Sequence, residues 1–372
     1  MKKTIPLSVA CLLVPAASFA ADASDSANTA ASWNAKAAAA YLDQRFEWWT
    51  TWPSAARDHD TFCISCHTAV PYALGRPALR ARLSENGPSA GERKLIANVA
   101  KRIRIWPEAL PFYSDEKNGP PKTAEARGTE SVLNALVLSS YDTRDGKLGD
   151  DARKAFENMW ALQLKTGDSA GAFTWLNFHN EPWEADDSQF WGATLAAIAV
   201  GNAPREYQSE AQVKANVALL AGYLARNAAR QSLLNKAVLL WAGAGVPGIL
   251  QPSDRTAIVN ELFSKQRSDG GWSTSSVVIG GWKRRDSTEL DTNSDGYATG
   301  LVALALERAG TSTGEPHLKS ALGWLSKNQD RDTGRWIATS LNKQRDPTSD
   351  AGRFMSDAAT AYSVLALAGQ KQ

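Results

Sequence analysis

The chain has 372 residues, 43% of them hydrophobic, with 41 basic and 39 acidic side chains. This near balance leaves no basic surplus to neutralise phosphates, so the composition argues against nucleic-acid binding. Beyond the N-terminal segment, no apolar run approaches the roughly 20 residues that a membrane-spanning helix needs, so no membrane span is predicted.

The first 20 residues have the pattern of a secretory signal peptide: two lysines, an apolar stretch and small residues that end at Ala20, where we expect cleavage. A lipid anchor at Cys11 is the weaker alternative, because apolar residues continue beyond it. Since this segment carries two of the 41 basic residues and no acidic one, the mature chain would have 39 of each and would be periplasmic. Residues 21–31 are expected to be a disordered lead-in, and residues 32–372 a single domain.

Two kinds of helical segment alternate along the chain. The first kind is apolar on nearly all sides, which predicts inner helices crowded by their neighbours. These segments are 66–79, 128–138, 187–200, 233–245, 293–310 and 355–369. The second kind is amphipathic, which predicts outer helices with one face in water. These segments are 32–49, 91–105, 150–163, 209–228, 254–266 and 316–329. Six such hairpins predict an all-α fold, an α/α toroid with an inner and an outer ring of helices.

Three outer segments end in related turns that contain a glutamine, a glycine and an aromatic residue. They read QLKTGDSAGAFTW at 163–175, QRSDGGW at 266–272 and QDRDTGRW at 329–336. The glycine permits a tight reversal, and the aromatic ring is expected to wedge between hairpins. These turns resemble the glutamine-tryptophan repeats of the squalene-hopene cyclase and terpenoid cyclase toroids, the prenyltransferase and squalene oxidase repeat type. The resemblance implies a toroid, and a fold of this kind does not by itself imply an activity.

The sequence also predicts where a site would lie. Long connections run from outer to inner helices at 164–187, 267–293 and 330–354. Because the inner helices would run parallel, these connections are expected to gather at one rim of the ring. The motif at 63–67 begins the first inner segment, so we expect it to face the cavity mouth at that rim.

Cys63, Cys66 and His67 form a C-x-x-C-H motif. Two thiols can form thioether bonds to the porphyrin vinyl groups, and the adjacent imidazole, expected on the same helical turn, can ligate the iron. This pattern predicts covalent attachment of one haem c, with Cys63 and Cys66 as the tethers and His67 as the proximal iron ligand.

Three other interpretations of the motif stay open. A redox dithiol would have a thiol pKa lowered by His67 and by a helix N-terminus. A zinc site would recruit His59 to complete two sulfur and two nitrogen ligands. A structural disulfide would suit an oxidising compartment.

The candidates for the sixth iron ligand are Met159, Met355, His59, His179 and His317. Met355 is preferred because it stands at the start of the inner segment 355–369, which would neighbour the motif in a closed ring. His179 is second because it lies in a long connection at the predicted rim. Met159 and His317 lie on outer segments and are expected to be packing or surface residues. A vacant sixth position is the remaining alternative.

The cyclase family that the turns resemble protonates an alkene with an Asp-x-Asp-Asp motif. The corresponding stretch here, DTNSD at 291–295, lacks the paired aspartates, so we do not expect cyclisation of a polyene. Asp295 is the one candidate catalytic acid. A helix N-cap is the commoner role for such a residue, and we favour it.

The turn SDGGW is also similar to turns of secreted polysaccharide lyases of the pectate type. Such an activity would need basic and calcium-binding residues, for which the candidates are Lys283, Arg284, Arg285, Asp286 and Glu289. A charged loop in water is the simpler interpretation.

These observations predict a periplasmic haem c protein that takes part in electron transfer or oxidises a small or lipid-like substrate. Its partner would be a redox protein or a small apolar ligand. The alternative is a haem-free toroid that acts on an isoprenoid or a polysaccharide.

Overall fold

The computed structural model describes Met1 and residues 33–110, 119–142 and 147–369. Apart from Met1, the predicted signal peptide and lead-in lie outside these ranges. The described residues form α-helices and one short β-hairpin, which confirms the all-α class. Within the same residues, no helix combines the length and apolarity that crossing a bilayer demands.

Each predicted helical segment corresponds to a helix of the structure. The inner segments are α2 (Ala69–Arg82), α4 (Gly119–Asp142), α6 (Ser188–Asn202), α9 (Leu233–Gly245), α12 (Gly296–Arg308) and α14 (Phe354–Ala368). The outer segments are α1 (Ala35–Thr51), α3 (Ala90–Arg104), α5 (Asp150–Ala161), α8 (Ala211–Asn227), α10 (Pro252–Ser264) and α13 (Pro316–Lys327). The elements that were not predicted are short: α7 (Arg205–Ser209), α11 (Thr274–Val277), β1 (Ala56–Arg57) and β2 (Thr61–Phe62).

The inner helices contact one another in a cyclic order. α2 contacts α4, α4 contacts α6, α6 contacts α9, α9 contacts α12, α12 contacts α14, and α14 contacts α2. Burial explains the two sequence patterns, because every residue of α12 from Gly296 to Leu306 is buried, whereas α10 buries only Ile258 and Leu262. A helix surrounded by others must be apolar on all sides, and a helix at the periphery on one side only.

The three glutamine turns share one hydrogen-bond pattern. Nε2 of each glutamine donates to the carbonyl of the glycine in its own turn, in the pairs Gln163–Gly171, Gln266–Gly270 and Gln329–Gly334. The same nitrogen donates to a carbonyl of another outer helix or its cap, in the pairs Gln163–Asn216, Gln266–His317 and Gln329–Asn34. Since Asn34 caps α1, the last of these bonds joins the final hairpin to the first helix.

The turn after α13 shows why glycine and tryptophan are needed. Gly334 has a φ of +79°, and a Cβ there would lie 2.3 Å from the backbone of Ala37 in α1. Trp336 is fully buried, and its Nε1 donates a 2.8 Å hydrogen bond to the Leu325 carbonyl of the preceding outer helix. Trp272 makes the equivalent contact in its own turn, so the predicted aromatic wedge is confirmed in both turns.

The motif at 63–67 precedes α2, so the expectation that it lies within the helix is wrong. α2 begins at Ala69. The cause is Ser65, whose Oγ accepts hydrogen bonds from the backbone N–H groups of Thr68 at 3.3 Å and Ala69 at 3.0 Å. A serine that binds backbone groups in this way favours a turn over a further helical residue.

Candidate functional site

Cys63, Cys66 and His67 line one partly open cavity of about 290 Å³. Both cysteines are free thiols, and all three side chains are half-buried. The apolar part of the wall includes Trp49, Trp52, Leu133, Leu176 and Phe354, and the polar part includes Arg57, Arg102, Thr129, Glu130 and Glu184. Two thiols and an imidazole are therefore available to one ligand.

A smaller cavity of about 200 Å³ adjoins the first. Both cavities are lined by Cys66, His67, Glu184 and Phe354, so these side chains lie between them. Cys63 lines only the larger cavity. Of these two cavities, Met355 and Glu181 line the smaller one.

The backbone that carries the motif is held from three sides. Its first residue, Cys63, donates its N–H to the Ala55 carbonyl at 2.8 Å and accepts from Nε1 of Trp49 in α1 at 2.7 Å. The side chain of Asn98 in α3 binds both the N–H and the carbonyl of Phe62, at 2.8 and 3.0 Å. The hairpin β1–β2 and two outer helices thus fix where the motif begins.

Aromatic side chains surround the imidazole of His67. The ring centroid of Phe354 lies 3.8 Å from it at an angle of 30°, and Trp49 meets it edge-on at 4.9 Å. Trp183 lies 5.9 Å away. An imidazole binds metal through a lone pair in the plane of its ring, so packing against a ring face orients the side chain without occupying the lone pair.

Hydrogen bonding determines which nitrogen of His67 carries the lone pair. Nδ1 lies 2.9 Å from Oγ1 of Thr68, and that hydroxyl donates a 2.8 Å bond to Oδ2 of Asp357 in α14. Since a hydroxyl has one hydrogen, Thr68 must accept from an Nδ1–H, which leaves the lone pair on Nε2. Nε2 has no hydrogen-bond partner among the described residues. Metal-ligating histidines commonly have this arrangement, with the second nitrogen donating to a fixed acceptor.

Asp357 is a buried carboxylate with three donors. It accepts from the hydroxyl of Tyr41 at 2.7 Å, from Nε of Arg45 at 2.8 Å and from Thr68. Burial raises the pKa of Asp357, and the Arg45 guanidinium opposes this by favouring the charged form. The charged carboxylate accepts hydrogen bonds only, which is what directs the Thr68 hydrogen toward it.

Burial also changes the titration of the motif itself. It raises the pKa of both Cys63 and Cys66, and the nearby carboxylate of Glu184 adds to the rise. The raised pKa does not favour the redox dithiol interpretation, because thiol groups that stay protonated exchange slowly. Burial lowers the pKa of His67 to about 3, with Arg45 and Arg345 adding to the effect. His67 is thus a neutral imidazole at physiological pH, the form that is able to ligate a metal.

The geometry does not favour the zinc interpretation. Among the residues that the structure describes, no three or more His, Cys, Asp or Glu side chains are grouped to hold a metal ion. His59 has a side chain that is 45% exposed and lies 2.9 Å from Asp58. A haem iron needs only one such protein ligand, because the thiols bind the porphyrin and not the metal.

Among the candidates for a sixth iron ligand, Met355 is the one beside His67. It is buried and lines the smaller cavity. The side chain of His179 is 71% exposed, lies 2.9 Å from Asp186 and lines neither cavity. Met159 is buried in α5, and His317 stacks on a phenylalanine ring at 4.3 Å, so both are packing residues, as expected.

Asp295 is the N-cap of α12. It accepts hydrogen bonds from the N–H groups of Tyr297 and Ala298 and from both the N–H and the hydroxyl of Thr274. Burial raises its pKa to about 6, and these hydrogen bonds oppose the rise. The favoured N-cap role is confirmed, and Asp295 lines neither cavity beside the motif.

Most of the charged side chains considered for a lyase activity form hydrogen bonds with backbone groups of nearby loops. Arg284 donates to the carbonyls of Ser340 and Glu289, and Arg285 donates to the carbonyl of His179. Asp286 accepts from the backbone of Gln344, while Lys283 is exposed. None of these side chains lines a cavity beside the motif, which favours the charged-loop interpretation.

Sequence reasoning did not single out Thr68 or Glu184 as site residues. The one signal for Thr68 is its position next to His67. Its partner Asp357 lies 289 residues further along the chain. The sequence places Asp357 at the same predicted rim as His67, because both lie at the start of an inner segment, but no pattern pairs it with Thr68.

No family model matches the chain, and no curated protein is significantly similar to it. The case for a function therefore rests on the residues of the site.

Proposed function

We propose that the protein is an exported c-type haem protein in which Cys63 and Cys66 tether one haem and His67 ligates its iron. The activity would be electron transfer or the oxidation of a small or lipid-like substrate. One observation carries the proposal: two free thiols and an imidazole with an unengaged Nε2 line the same cavity.

The residues present fit such a group in their chemistry. The thiols are not joined to each other, so both are available for thioether bonds. Trp49, Trp52 and Leu133 give the cavity an apolar wall suited to a porphyrin. Arg102 also lines the cavity, and its charge is neutralised by Glu130 and Asp58. When bound, the haem would supply one-electron redox chemistry and an iron that can take a further ligand.

The chain itself would orient and tune the proximal side. Thr68 accepts from Nδ1 of His67 and passes the interaction to the buried Asp357, which is held by Arg45. This series of hydrogen bonds would keep Nε2 as the ligating nitrogen and make the imidazole a stronger electron donor to the iron. Phe354 and Trp49 limit rotation of the ring and exclude water from its faces.

For the sixth ligand, Met355 is the candidate that shares the smaller cavity with His67. The proposed tether Cys63 lines the larger cavity, and the described side chains that line that cavity include no methionine and no second histidine. The larger cavity therefore favours an open sixth position, with Met355 as the second choice and His179 as the third.

The scaffold would be an α/α toroid. Two observations support it: the cyclic order of contacts among the inner helices, and the hydrogen bonds of Gln329 that join the last hairpin to the cap of α1. Export to the periplasm rests on the pattern of residues 1–20.

The test is expression of the full chain with cytochrome c maturation factors, followed by a pyridine haemochrome spectrum and a haem stain after denaturing electrophoresis. We expect covalent haem in the natural chain and none in the C63S/C66S double variant. Each single variant, Cys63→Ser or Cys66→Ser, should shift the haemochrome band because one vinyl group stays unreacted. Cys11→Ala is the matched control, since it changes the remaining cysteine and should keep the natural spectrum. Folded, exported protein without covalent haem would refute the proposal.

A further inference from the structure

A third cavity, larger and more polar, lies on the other side of Glu181. It has a volume of about 620 Å³, and Cys63, Cys66 and His67 do not line it. Glu181 lines both this cavity and the smaller one beside His67. The two spaces thus share one buried acidic side chain.

Glu181 is fixed in place by its backbone, and its carboxyl group has no partner within the part of the chain that the structure describes. Its residue is only 4% exposed. Its backbone is held by the side chain of Asn342, which accepts from the Glu181 N–H at 2.9 Å and donates to its carbonyl at 2.7 Å. Among the described residues, no donor or cation binds the carboxyl group itself. Burying a carboxyl group without a partner is costly, and a ligand that brings a positive charge would relieve this cost.

The rest of the lining has the chemistry of a cation site. Four carboxyl groups line the cavity against one guanidinium, that of Arg230, which is hydrogen-bonded to Asn227. The wall also contains the aromatic side chains of Phe190, Tyr223 and Trp282. Carboxylates together with aromatic rings are the combination that binds organic ammonium groups.

We propose that this cavity binds an organic cation of the amine class, with Glu181 as its counter-ion. The proposal is independent of the proposed haem, because it uses none of the residues that would hold it. A neutral hydroxylated ligand, such as a sugar, is the competing occupant that the experiment must distinguish.

An amine with a pKa near that of lysine, about 10.4, is charged at neutral pH and can pair with the carboxylates of the cavity. The experiment is isothermal titration calorimetry of the full chain with 1,4-diaminobutane at about pH 7.5. The neutral isostere 1,4-butanediol and the disaccharide maltose are the competing probes. We expect the diamine alone to bind.

Two variants test the assignment. Glu181→Gln should weaken diamine binding at least tenfold. Asp186→Asn changes an exposed lining residue with little risk to folding, and should weaken binding severalfold. Glu307→Gln is the matched control, since it makes the same substitution at a residue that lines none of these cavities. No binding of the diamine, equal binding of butanediol or maltose, or binding unchanged in both variants would overturn the proposal.

Discussion

Thr68 and Asp357 are joined by a 2.8 Å hydrogen bond from the threonine hydroxyl to Oδ2, although 289 positions separate them in the chain. The same hydroxyl lies 2.9 Å from Nδ1 of His67. Because α14 contacts α2, the carboxylate of Asp357 in α14 fixes the hydrogen bonding of the imidazole of His67, which precedes α2. The cyclic contact order is thus part of how the site is built.

Replacement of Thr68 by valine should change the tautomer of His67. The natural chain should carry its proton on Nδ1, whereas Thr68→Val removes the acceptor and should give a mixture of tautomers in which Nε2–H is substantial. The measurement is ¹⁵N NMR of the histidine side chains in the apoprotein, so it does not depend on a cofactor. Thr129→Val is the control, since Thr129 lines the same cavity but bonds to the Leu176 backbone. A natural chain with its proton on Nε2 would contradict the assignment.

Met355→Leu should alter the absorption spectrum of the haem-loaded protein if the sulfur ligates iron. It should also increase the response of the spectrum to added cyanide or imidazole, because the position would be open. Met159→Leu is the control, since Met159 is equally buried but lies in α5, away from the site. An unchanged spectrum in Met355→Leu, with a strong response of the natural chain to added ligand, would instead indicate an open position.

The helices could be predicted closely because their burial dictates their sequence. α9 begins and ends where its apolar segment does, at 233 and 245. α4 shows where the pattern fails: it starts at Gly119, nine residues before the predicted segment, and its first residues are largely unburied. Helical turns that lie outside the packed interior carry no apolar pattern, so the periodicity of apolar residues cannot reveal them.

The candidate site could be predicted only in part. The C-x-x-C-H spacing brought Cys63, Cys66 and His67 together. The apolar pattern placed them at the start of a helix, because the side-chain bonds of Ser65 that form a turn before α2 leave no periodic signal. The cavity walls opposite the motif are positioned by hydrogen bonds between residues that lie far apart in the sequence. Asn342 fixes Glu181 across 161 positions, and a single sequence does not show which distant polar residues meet.

Gln329→Ala should destabilise the protein by loosening the junction of its last hairpin and α1. Gln329 is buried, donates to the carbonyls of Asn34 and Gly334, and accepts from the Asn34 N–H. Three lost hydrogen bonds at about 1 kcal/mol each predict a loss of about 3 kcal/mol in the free energy of unfolding, measured with urea. Gln344→Ala, at an exposed position, should change it by less than about 0.5 kcal/mol. Equal stability of the two variants would argue against a structural role for the junction.

Glu307→Gln should stabilise the protein at alkaline pH. Burial raises the pKa of Glu307 from 4.5 to about 7, and Arg308 only partly opposes this. Between these values the folded carboxyl group holds its proton more tightly than the unfolded one, so the stability that Glu307 contributes is lost as pH rises through about 7. Glutamine stays neutral at every pH. The free energy of unfolding of the variant, relative to that of the natural chain, should therefore rise by on the order of 2 kcal/mol from about pH 4.5 to about pH 8.

Urea unfolding of both proteins at these two pH values measures that gain. Glu206→Gln is the control. Because Glu206 is exposed, this variant should differ from the natural chain by the same free energy of unfolding at both pH values. A difference for Glu307→Gln that is also independent of pH would mean that Glu307 ionises at its ordinary pKa in the folded protein. In that case the C-terminal end of α12 would be open to water, and the packing of Glu307 between α12 and the end of α14 near Gly369 would have to be looser than the structure has it.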